Sequence, residues 1–225
     1  MFLERVCLIS TAVLVAVYAA PRVSRLQEVP KWHFPCGGDL DVEVASWEDL
    51  EEETVNSLES LRLQHQLLMS EYLSRDYNYL YESMDFSVKK KQYIPNWLPD
   101  EKDVDLVKGL ADANPQTIVN HFPKLHTDLQ KFAVAFEQLV KDEDDVRKWE
   151  ALAGTQRYLN SMLCEVESNI LSLPSLRLPT RVQRDIMSKN ERNVGRDETN
   201  RLVRDWGVIL KYRDYLHAWR HVFNY

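Results

Sequence analysis

The chain has 225 residues, a formal net charge of -7 at pH 7 and a sequence pI of about 5.4. Because a net negative protein repels polyanions, this composition gives no basis for general electrostatic binding to nucleic acid or to an anionic membrane surface. With only six glycines, the chain also lacks the composition of a glycine-rich phosphate loop, a collagen repeat or a low-complexity linker.

Residues 1–19 have the pattern of a secretory signal peptide. Arg5 is followed by an apolar run, residues 6–18, and then by two alanines. Cleavage after Ala19 fits best, because small residues are preferred at the cut. The apolar run is shorter than the ~20 residues that span a bilayer, so an uncleaved signal anchor is the weaker alternative. We therefore expect a secreted, extracellular protein that does not insert into a membrane.

Of the three cysteines, Cys7 lies in the signal peptide, and Cys36 and Cys164 remain. Two cysteines in an oxidising compartment suggest one disulfide, which would tie the N-terminal extension, residues 20–46, to a distant part of the chain. In the chain-entropy model, closing so long a loop stabilises a fold by roughly 4–5 kcal/mol. The alternative is a buried free Cys164, with Cys36 bonded elsewhere.

The first of four helical segments covers about residues 47–84. Ser46 precedes it as an N-cap residue, and acidic residues in the first turn complement the helix dipole. Apolar residues recur every three or four positions, which is the spacing of one helix face. That face consists of Leu63, Leu67, Ser70, Leu73, Tyr77, Leu80 and Met84. Just before this segment, residues 39–44 show the short alternation of a strand.

The second segment shows the same spacing on both sides of Pro123. Its apolar face consists of Ile118, Phe122, Leu125, Leu129, Phe132, Phe136 and Leu139. Proline lacks an amide hydrogen. Either a regular helix therefore begins near Pro123, with the proline in its first turn, or a longer helix kinks there.

The third and fourth segments repeat this spacing. The third follows the acidic residues 142–145 and ends before Pro174, and the fourth runs from about Glu198 to the C-terminus. The face of the third consists of Trp149, Leu152, Gln156, Leu159, Leu163, Val166, Ile170 and Leu173. The face of the fourth consists of Leu202, Trp206, Ile209, Tyr212, Leu216, Trp219 and Phe223. The three tryptophans on these faces are expected in the core.

The links between the segments are long, short and long: residues 85–114, 141–145 and 174–197. Residues 103–110 of the first link are expected to form a short helix. A short link makes neighbouring helices antiparallel, whereas a long link can run the length of a bundle. The pattern predicts an all-α fold, a long-chain four-helix bundle over residues 47–225, with up-up-down-down topology and two long crossover loops.

Trp97 lies in an apolar patch of the first link, residues 94–99. Two interpretations are open. Either the patch folds back over the helices, or Trp97 is an exposed aromatic anchor of the kind that dominates protein interfaces.

No catalytic constellation is found in the sequence. It contains neither a His-Glu-x-x-His pair nor a Gly-x-Ser-x-Gly elbow, and Cys36 and Cys164 have no Cys-x-x-Cys partner. His217 and His221 are four residues apart, but histidines at a helix C-terminus are more simply explained by the helix dipole. The acidic residues 142–145 lack the spaced ligands and the glycine of a calcium loop. We therefore expect a binding protein without metal or cofactor rather than an enzyme.

The most specific signal is the start of the fourth segment, residues 201–210 (RLVRDWGVIL). It resembles the start of the last helix in the interleukin-6 family of long-chain helical cytokines, especially those of the ciliary neurotrophic factor and cardiotrophin-like cytokine type. In that family a Phe-x-x-Lys pair is followed closely by a tryptophan. Here the tryptophan is Trp206, and the lysine and phenylalanine positions fall on Arg204 and Arg201. A fainter resemblance to the same family covers residues 65–80. The insect Unpaired proteins, distant members of the same long-chain class, are an equally reasonable assignment.

The resemblance implies a secreted cytokine that cross-links class I cytokine receptors of the interleukin-6 receptor type and activates JAK/STAT signalling. Its partners would be receptor ectodomains and, as for some relatives, a co-secreted soluble receptor. Three receptor-binding patches are implied. The first, at the start of the last helix and the end of the first link, falls on Arg201, Arg204, Trp206 and Trp97. The second, on helices one and three, falls on Arg62, Gln66 and Gln156. The third, near the C-terminus, falls on Arg213, Arg220 and His217.

The chain departs from the family at Arg201, where relatives have phenylalanine. The apolar half of that contact is missing unless Leu202 or Val203 supplies it. Arg204 keeps the positive charge of the family's lysine and adds a planar fork that favours a paired carboxylate. The resemblance therefore predicts an outward-facing Arg204 on the last helix. The alternative function is a secreted helical carrier of an apolar ligand, which would need an internal cavity.

Overall fold

The computed structural model describes residues 29–38, 46–73 and 86–223, and no residue in these ranges belongs to a β-strand. Seven α-helices lie wholly within them. They are α1 (Trp47–Leu73), α2 (Glu101–Lys108), α3 (Pro115–Val119), α4 (Phe122–Asp142), α5 (Val146–Ser172), α6 (Lys189–Asn193) and α7 (Glu198–Phe223). The prediction of an all-α fold is therefore confirmed for the described residues.

Some sequence predictions lie outside the described residues. These are the signal peptide, the strand-like residues 39–44, and Tyr77, Leu80 and Met84 of the first helical face. Within the described ranges, no helix combines the length and the apolar character needed to cross a membrane.

Helix α1 begins where the sequence predicts but buries a different face. The hydroxyl of Ser46 accepts a hydrogen bond from the amide of Asp49 (3.3 Å), so Ser46 is the N-cap. Leu63 and Leu67, whose spacing predicts core positions, are 50% and 60% exposed, so that prediction is wrong. The buried face consists instead of Leu50, Thr54, Leu58, Leu61, His65 and Leu68. Both sets of residues have helical spacing, and the second set is the one covered by the other helices.

Helix α4 confirms the apolar face of the second segment. It begins at Phe122 with Pro123 in its first turn, so a new helix starts at the proline. The residues before it form the separate helix α3, which is capped by the side chain of Asn114. All the predicted core residues of this segment are buried. The first long link contains the expected short helix, α2, which begins and ends two residues earlier than predicted.

Helices α5 and α7 confirm most of their predicted faces. Trp219 is buried, and Trp206 is half-buried against the core. Trp149 is 46% exposed, so the prediction that it lies in the core is wrong. It lies in the first turns of α5, beside the end of α4 at Asp142. Trp149 lies on the same face of α5 as the buried residues, but it is not covered, because α4, which would cover it, ends at this level.

Helix α5 runs antiparallel to both α1 and α4. Near the start of α1, the side chain of Thr54 accepts a hydrogen bond from Asn169, close to the end of α5 (3.1 Å). Near the end of α1, Gln64 donates to the carbonyl of Ala151, close to the start of α5 (3.2 Å). The short turn 143–145 reverses the chain between α4 and α5.

Helix α7 likewise runs antiparallel to α1 and α4. Two contacts join α7 to α1: Phe223 to Trp47 at the start of α1, and Ile209 to His65 further along it. Two contacts join α7 to α4: Tyr215 to Asp128, and Arg204 to Asp142 at the end of α4. Between α4 and α7, the rings of Phe132 and Phe136 each lie 5.1 Å from the ring of Tyr212. Aromatic side chains therefore fill the centre of the core at this contact.

A carboxyl pair lies at the contact between α1 and α5. Burial and the neighbouring Glu53 carboxyl raise the pKa of Glu165 to about 7. One carboxyl oxygen of Glu165 is buried without a hydrogen-bond partner. At neutral pH the two side chains therefore share less than two full negative charges.

We expect Glu165→Gln to stabilise the protein at pH 8, by on the order of 1 kcal/mol after allowance for solvent screening. Above the ordinary pKa of 4.5, the folded state holds a proton that the unfolded state has lost, so wild-type stability falls as the pH rises from 4.5 to about 7. Urea unfolding at pH 5 and pH 8 measures this. A gain of the same size at pH 5 would contradict the explanation.

The N-terminal segment, residues 29–38, is bonded to the helices. Cys36 forms a disulfide with Cys164 of α5, with Cα atoms 4.9 Å apart, so the predicted pairing is confirmed. Trp32 is buried, and its indole nitrogen donates to the carbonyl of Val182 in the second long link (2.8 Å). The guanidinium of Arg184 lies 5.4 Å above the Trp32 ring. The segment therefore holds the second link against α4 and α5.

The second long link, residues 174–197, is also held by ion pairs. Arg181 donates two hydrogen bonds to the carboxylate of Glu167 (2.5 and 2.6 Å). Although burial opposes it, this pairing lowers the pKa of Glu167. The fully buried His126 lies 3.2 Å from the same carboxylate, and burial lowers the pKa of its ring. Arg184 makes a second bidentate pair with Glu137 of α4.

Candidate functional site

The arginine on which the sequence analysis centred is internal. The side chain of Arg204 is completely buried, so the prediction that it faces outward on the last helix is wrong. Its Nε donates to Asp205 and its Nη1 to Asp142, both at 2.8 Å. The planar guanidinium thus connects α7 to the end of α4, where it neutralises two carboxylates that burial would otherwise penalise.

Arg201 joins the same cluster. It donates to the carbonyl of Asp142 (2.5 Å), lies 3.7 Å from the Glu143 carboxylate, and its side chain is 13% exposed. Gly195 allows this arrangement, because a Cβ there would lie 2.6 Å from a carboxylate oxygen of Asp142. We name the group Asp142, Glu143, Arg201, Arg204 and Asp205 the Arg204 cluster. Burial raises the pKa of Asp205 to about 6, in spite of the positive charge of Arg204.

Trp206, the tryptophan of the family resemblance, packs against the core, and the next residue, Gly207, also has a packing role. A Cβ on Gly207 would lie 2.2 Å from Cδ1 of Ile94, so the glycine lets the first link lie against α7. Lys211 on the same helix donates to the carbonyls of Leu98 (3.3 Å) and Pro99 (3.1 Å). The first long link therefore packs against the start of α7.

Trp97 also helps to hold the first long link against the helices. It is half-buried against the core, and its indole nitrogen donates to Glu191 of α6 (2.9 Å). This agrees with the interpretation in which the apolar patch folds back over the helices. In the first predicted patch, Arg201 and Arg204 therefore hold α7 to the end of α4, and Trp97 holds the first long link to α6.

We expect Gly207→Ala to displace Ile94 and to lower the free energy of unfolding by about 1–3 kcal/mol, the usual cost of overpacking. The matched double variant, Gly207→Ala with Ile94→Ala, provides space for the new methyl group. If the close approach is the cause, the double variant loses less stability than the sum of the two single substitutions. Strict additivity in urea unfolding would refute it.

Residues from the second and third predicted patches meet in one groove between α1 and α7. Arg62 and Gln66 of α1 face Arg213 and His217 of α7 across an opening of about 340 Å³. The groove is completed by His65, Met69, Ser70 and Leu216. We name it the α1–α7 groove. Sequence spacing cannot reveal such a meeting, because it requires the antiparallel register of two helices far apart in the chain.

The cations of the α1–α7 groove are only loosely paired. Arg62 lies 3.4 Å from Glu59, and its Nε is buried without a hydrogen-bond partner. Arg213 donates to Asp214, its neighbour on α7, and both side chains are more than 40% exposed. Exposed pairs of this kind contribute little, so the guanidinium groups remain available for a partner's carboxylates.

Beside the groove, α1 exposes Leu63 and Leu67. These side chains form an apolar ridge that is 50% and 60% exposed, and Gln66 between them is exposed as well. Large exposed apolar side chains next to polar ones are typical of protein interfaces. We name Leu63, Leu67 and the α1–α7 groove together the α1 surface.

The other predicted contact residues are dispersed. Gln156 on α5 and Arg220 on α7 are half-buried. Trp149, which the sequence analysis placed in the core, is instead an exposed aromatic residue next to the 69% exposed Val146. Its exposure has no signal in the sequence, because its spacing is that of a buried residue.

A larger groove of about 700 Å³ separates α2 from α7 and contains His217 and His221. Its lysines are balanced by an equal number of carboxylates, which gives it no preference for a charged ligand. Its charged residues are Lys89, Lys91, Lys108 and Lys211, and Asp100, Glu101, Asp105 and Asp214. Among the described residues, no group of three histidine, cysteine or acidic side chains is arranged to hold a metal ion.

Comparison with protein-family models, with curated proteins and with solved structures finds no match for this chain.

Proposed function

We propose that the protein is a secreted cytokine that binds and cross-links class I receptors of the interleukin-6 receptor type, and so activates JAK/STAT signalling. The observation that carries this proposal is the α1 surface, where exposed Leu63 and Leu67 adjoin loosely paired arginines. An apolar ridge with a polar rim has the composition of a protein-binding site.

The proposal includes an up-up-down-down bundle of α1, α4, α5 and α7. Its support is the set of antiparallel contacts: α5 and α7 each run opposite to both α1 and α4. Two helices that both oppose a third are parallel to each other. The two long links then each run the length of the bundle, as this topology requires.

Cross-linking needs a second surface that is well separated from the first. Trp149 and Val146 at the start of α5 are suited to this role. Trp149 lies about five helical turns before Glu167, on the same face of α5, and Glu167 contacts α4. The exposed tryptophan is thus on the α4 side of α5, away from α1. Tryptophan is among the residues most often found at the energetic centre of an interface.

The test is capture of soluble receptor ectodomains by the mature protein. We expect Leu63→Asp/Leu67→Asp to weaken capture at least tenfold, because charges would replace the apolar contact. The matched control is Leu106→Asp on α2, where the leucine is 46% exposed. Equal binding by the ridge variant and the wild type would reject the surface.

Failure of the wild-type protein to capture any class I receptor ectodomain would reject the function. The alternative, a carrier of an apolar ligand, predicts instead that lipid co-purifies with the protein. Mass spectrometry of the purified, unwashed protein separates these two outcomes.

A further inference from the structure

We propose that the α1–α7 groove is an acid-sensitive seam, in which protonation of His65 separates α1 from α7 locally and releases a partner bound to the α1 surface. The release of a receptor rests on the proposed function, whereas the opening of the seam does not. The proposal stands on the position of one buried histidine among cations.

His65 connects the two helices. It is 5% exposed, and its Nε2 lies 3.2 Å from the carbonyl of Ile209 on α7. Because a carbonyl only accepts, Nε2 must donate, and the neutral ring then carries its single proton there. The ring also lies against Tyr212, with centroids 5.8 Å apart. The histidine is thus both a hydrogen-bond tie and a packing contact across the seam.

A second proton on His65 would be poorly accommodated in the closed seam. From α1, Arg62 lines the same groove, and from α7, Arg213 and His217 face it. The nearest acidic influence on the ring, Asp214, is an exposed side chain that also pairs with Arg213, so it favours the charged ring only weakly. A charged imidazole would therefore be buried next to the guanidinium groups of Arg62 and Arg213, with only the exposed carboxylate of Asp214 to offset them.

Burial, reinforced by the charges of Arg213 and His217, lowers the pKa of His65 to about 4, although its bond to Ile209 opposes the shift. In an open seam the ring would recover a pKa near 6.5. Since the open form then binds the proton more tightly, acid favours opening. At pH 5 these two values correspond to a roughly thirtyfold increase in the opening equilibrium.

The other buried histidine illustrates what makes this position sensitive. His126 lies 3.2 Å from the carboxylate of Glu167, which also pairs with Arg181, and burial lowers the pKa of this ring as well. His65 has no comparable partner among the described residues. Arg62 and Gln66 lie within one turn of His65 on α1 and line the same groove. Opening at His65 would therefore also displace them and alter the surface proposed to bind the receptor.

The experiment is hydrogen exchange of the full mature protein at pH 7.4 and pH 5.0, corrected for the intrinsic pH dependence of exchange. In the wild type we expect amides of α1 around residues 61–69 to open up to roughly thirtyfold more often at pH 5.0. His65→Gln keeps a donor for the Ile209 carbonyl but does not titrate, so it should lose most of this response. His221→Gln, on an exposed histidine of α7 that does not line the α1–α7 groove, should retain it.

Two outcomes would overturn the seam: unchanged exchange in the wild type at pH 5.0, or an equal response in His65→Gln. If His65→Gln does not fold, nuclear magnetic resonance titration of the wild-type ring decides, and a pKa near 6.5 would refute the proposal. Receptor dissociation should be severalfold faster at pH 5.0 for the wild type and not for His65→Gln. Seam opening without any receptor binding would reject the proposed function and leave the seam itself intact.

Discussion

Replacing Arg204 with alanine is expected to lower the free energy of unfolding by about 3–5 kcal/mol, the usual cost of breaking a buried ion pair from one side. The substitution leaves the buried carboxylate of Asp205 without its cation and removes the tie from α7 to Asp142. It also opens a cavity, because Arg204 is one of the largest fully buried side chains. Urea unfolding monitored by circular dichroism measures the loss.

The matched control removes both charges. Arg204→Met/Asp205→Leu fills a similar volume and removes the fully buried pair, and such replacements are often neutral or stabilising. The carboxylate of Asp142 loses Arg204 but still accepts a hydrogen bond from Gln138 (2.8 Å). If the double variant is as unstable as Arg204→Ala, packing rather than charge explains the effect. If Arg204→Ala is as stable as the wild type, the Arg204 cluster does not hold α7 to α4.

Replacing Cys36 with serine is expected to lower the free energy of unfolding by about 2–5 kcal/mol. The chain-entropy model predicts a value at the upper end of this range, because the bridged residues are 128 positions apart. Most of this loss arises in the unfolded chain, which gains freedom when the loop is no longer closed. In the folded state, Trp32 still bonds to Val182, so the N-terminal segment should remain docked.

The control is Cys164→Ser alone and combined with Cys36→Ser. A bond that acts as a unit predicts that the double variant is no less stable than either single one. Unfolding of the wild type with and without a reductant gives an independent value. Equal stability of the reduced and oxidised wild type would mean that the bridge contributes nothing to folding.

The sequence was most informative where one pattern had one explanation. In α4 a single apolar stripe runs the length of the helix, and every residue of it is buried. In α1 two stripes of leucines coexist, and spacing alone does not say which one meets the other helices. The prediction that Leu63 and Leu67 are buried is wrong, and their exposure defines the α1 surface.

Other features depend on the meeting of distant residues. From the sequence, Arg204 is expected at the surface because it is charged. The acidic partner that allows its burial, Asp142, is 62 positions away and is not apparent from the local sequence. The meeting of Arg62 with Arg213 depends in the same way on the register of α1 against α7. Spacing shows which residues share a face, but it does not show how far along the helix that face is covered, which is why Trp149 was misplaced. The cysteine pairing was easier to predict, since removal of the predicted signal peptide with Cys7 would leave only one possible pairing.

The Cys36–Cys164 bridge also determines how the molecule would respond to a protease. It closes a covalent ring that contains α1 to α4 and the exposed lysines at 89–91. A single cut at those lysines would leave two fragments joined in one molecule, which separate on a gel only after reduction. A cut in the second link, between α5 and α7, lies outside the ring. The last helix would then be held only by packing and by ion pairs such as that of Arg204, so one cleavage there could detach the part of the protein that forms half of the α1–α7 groove.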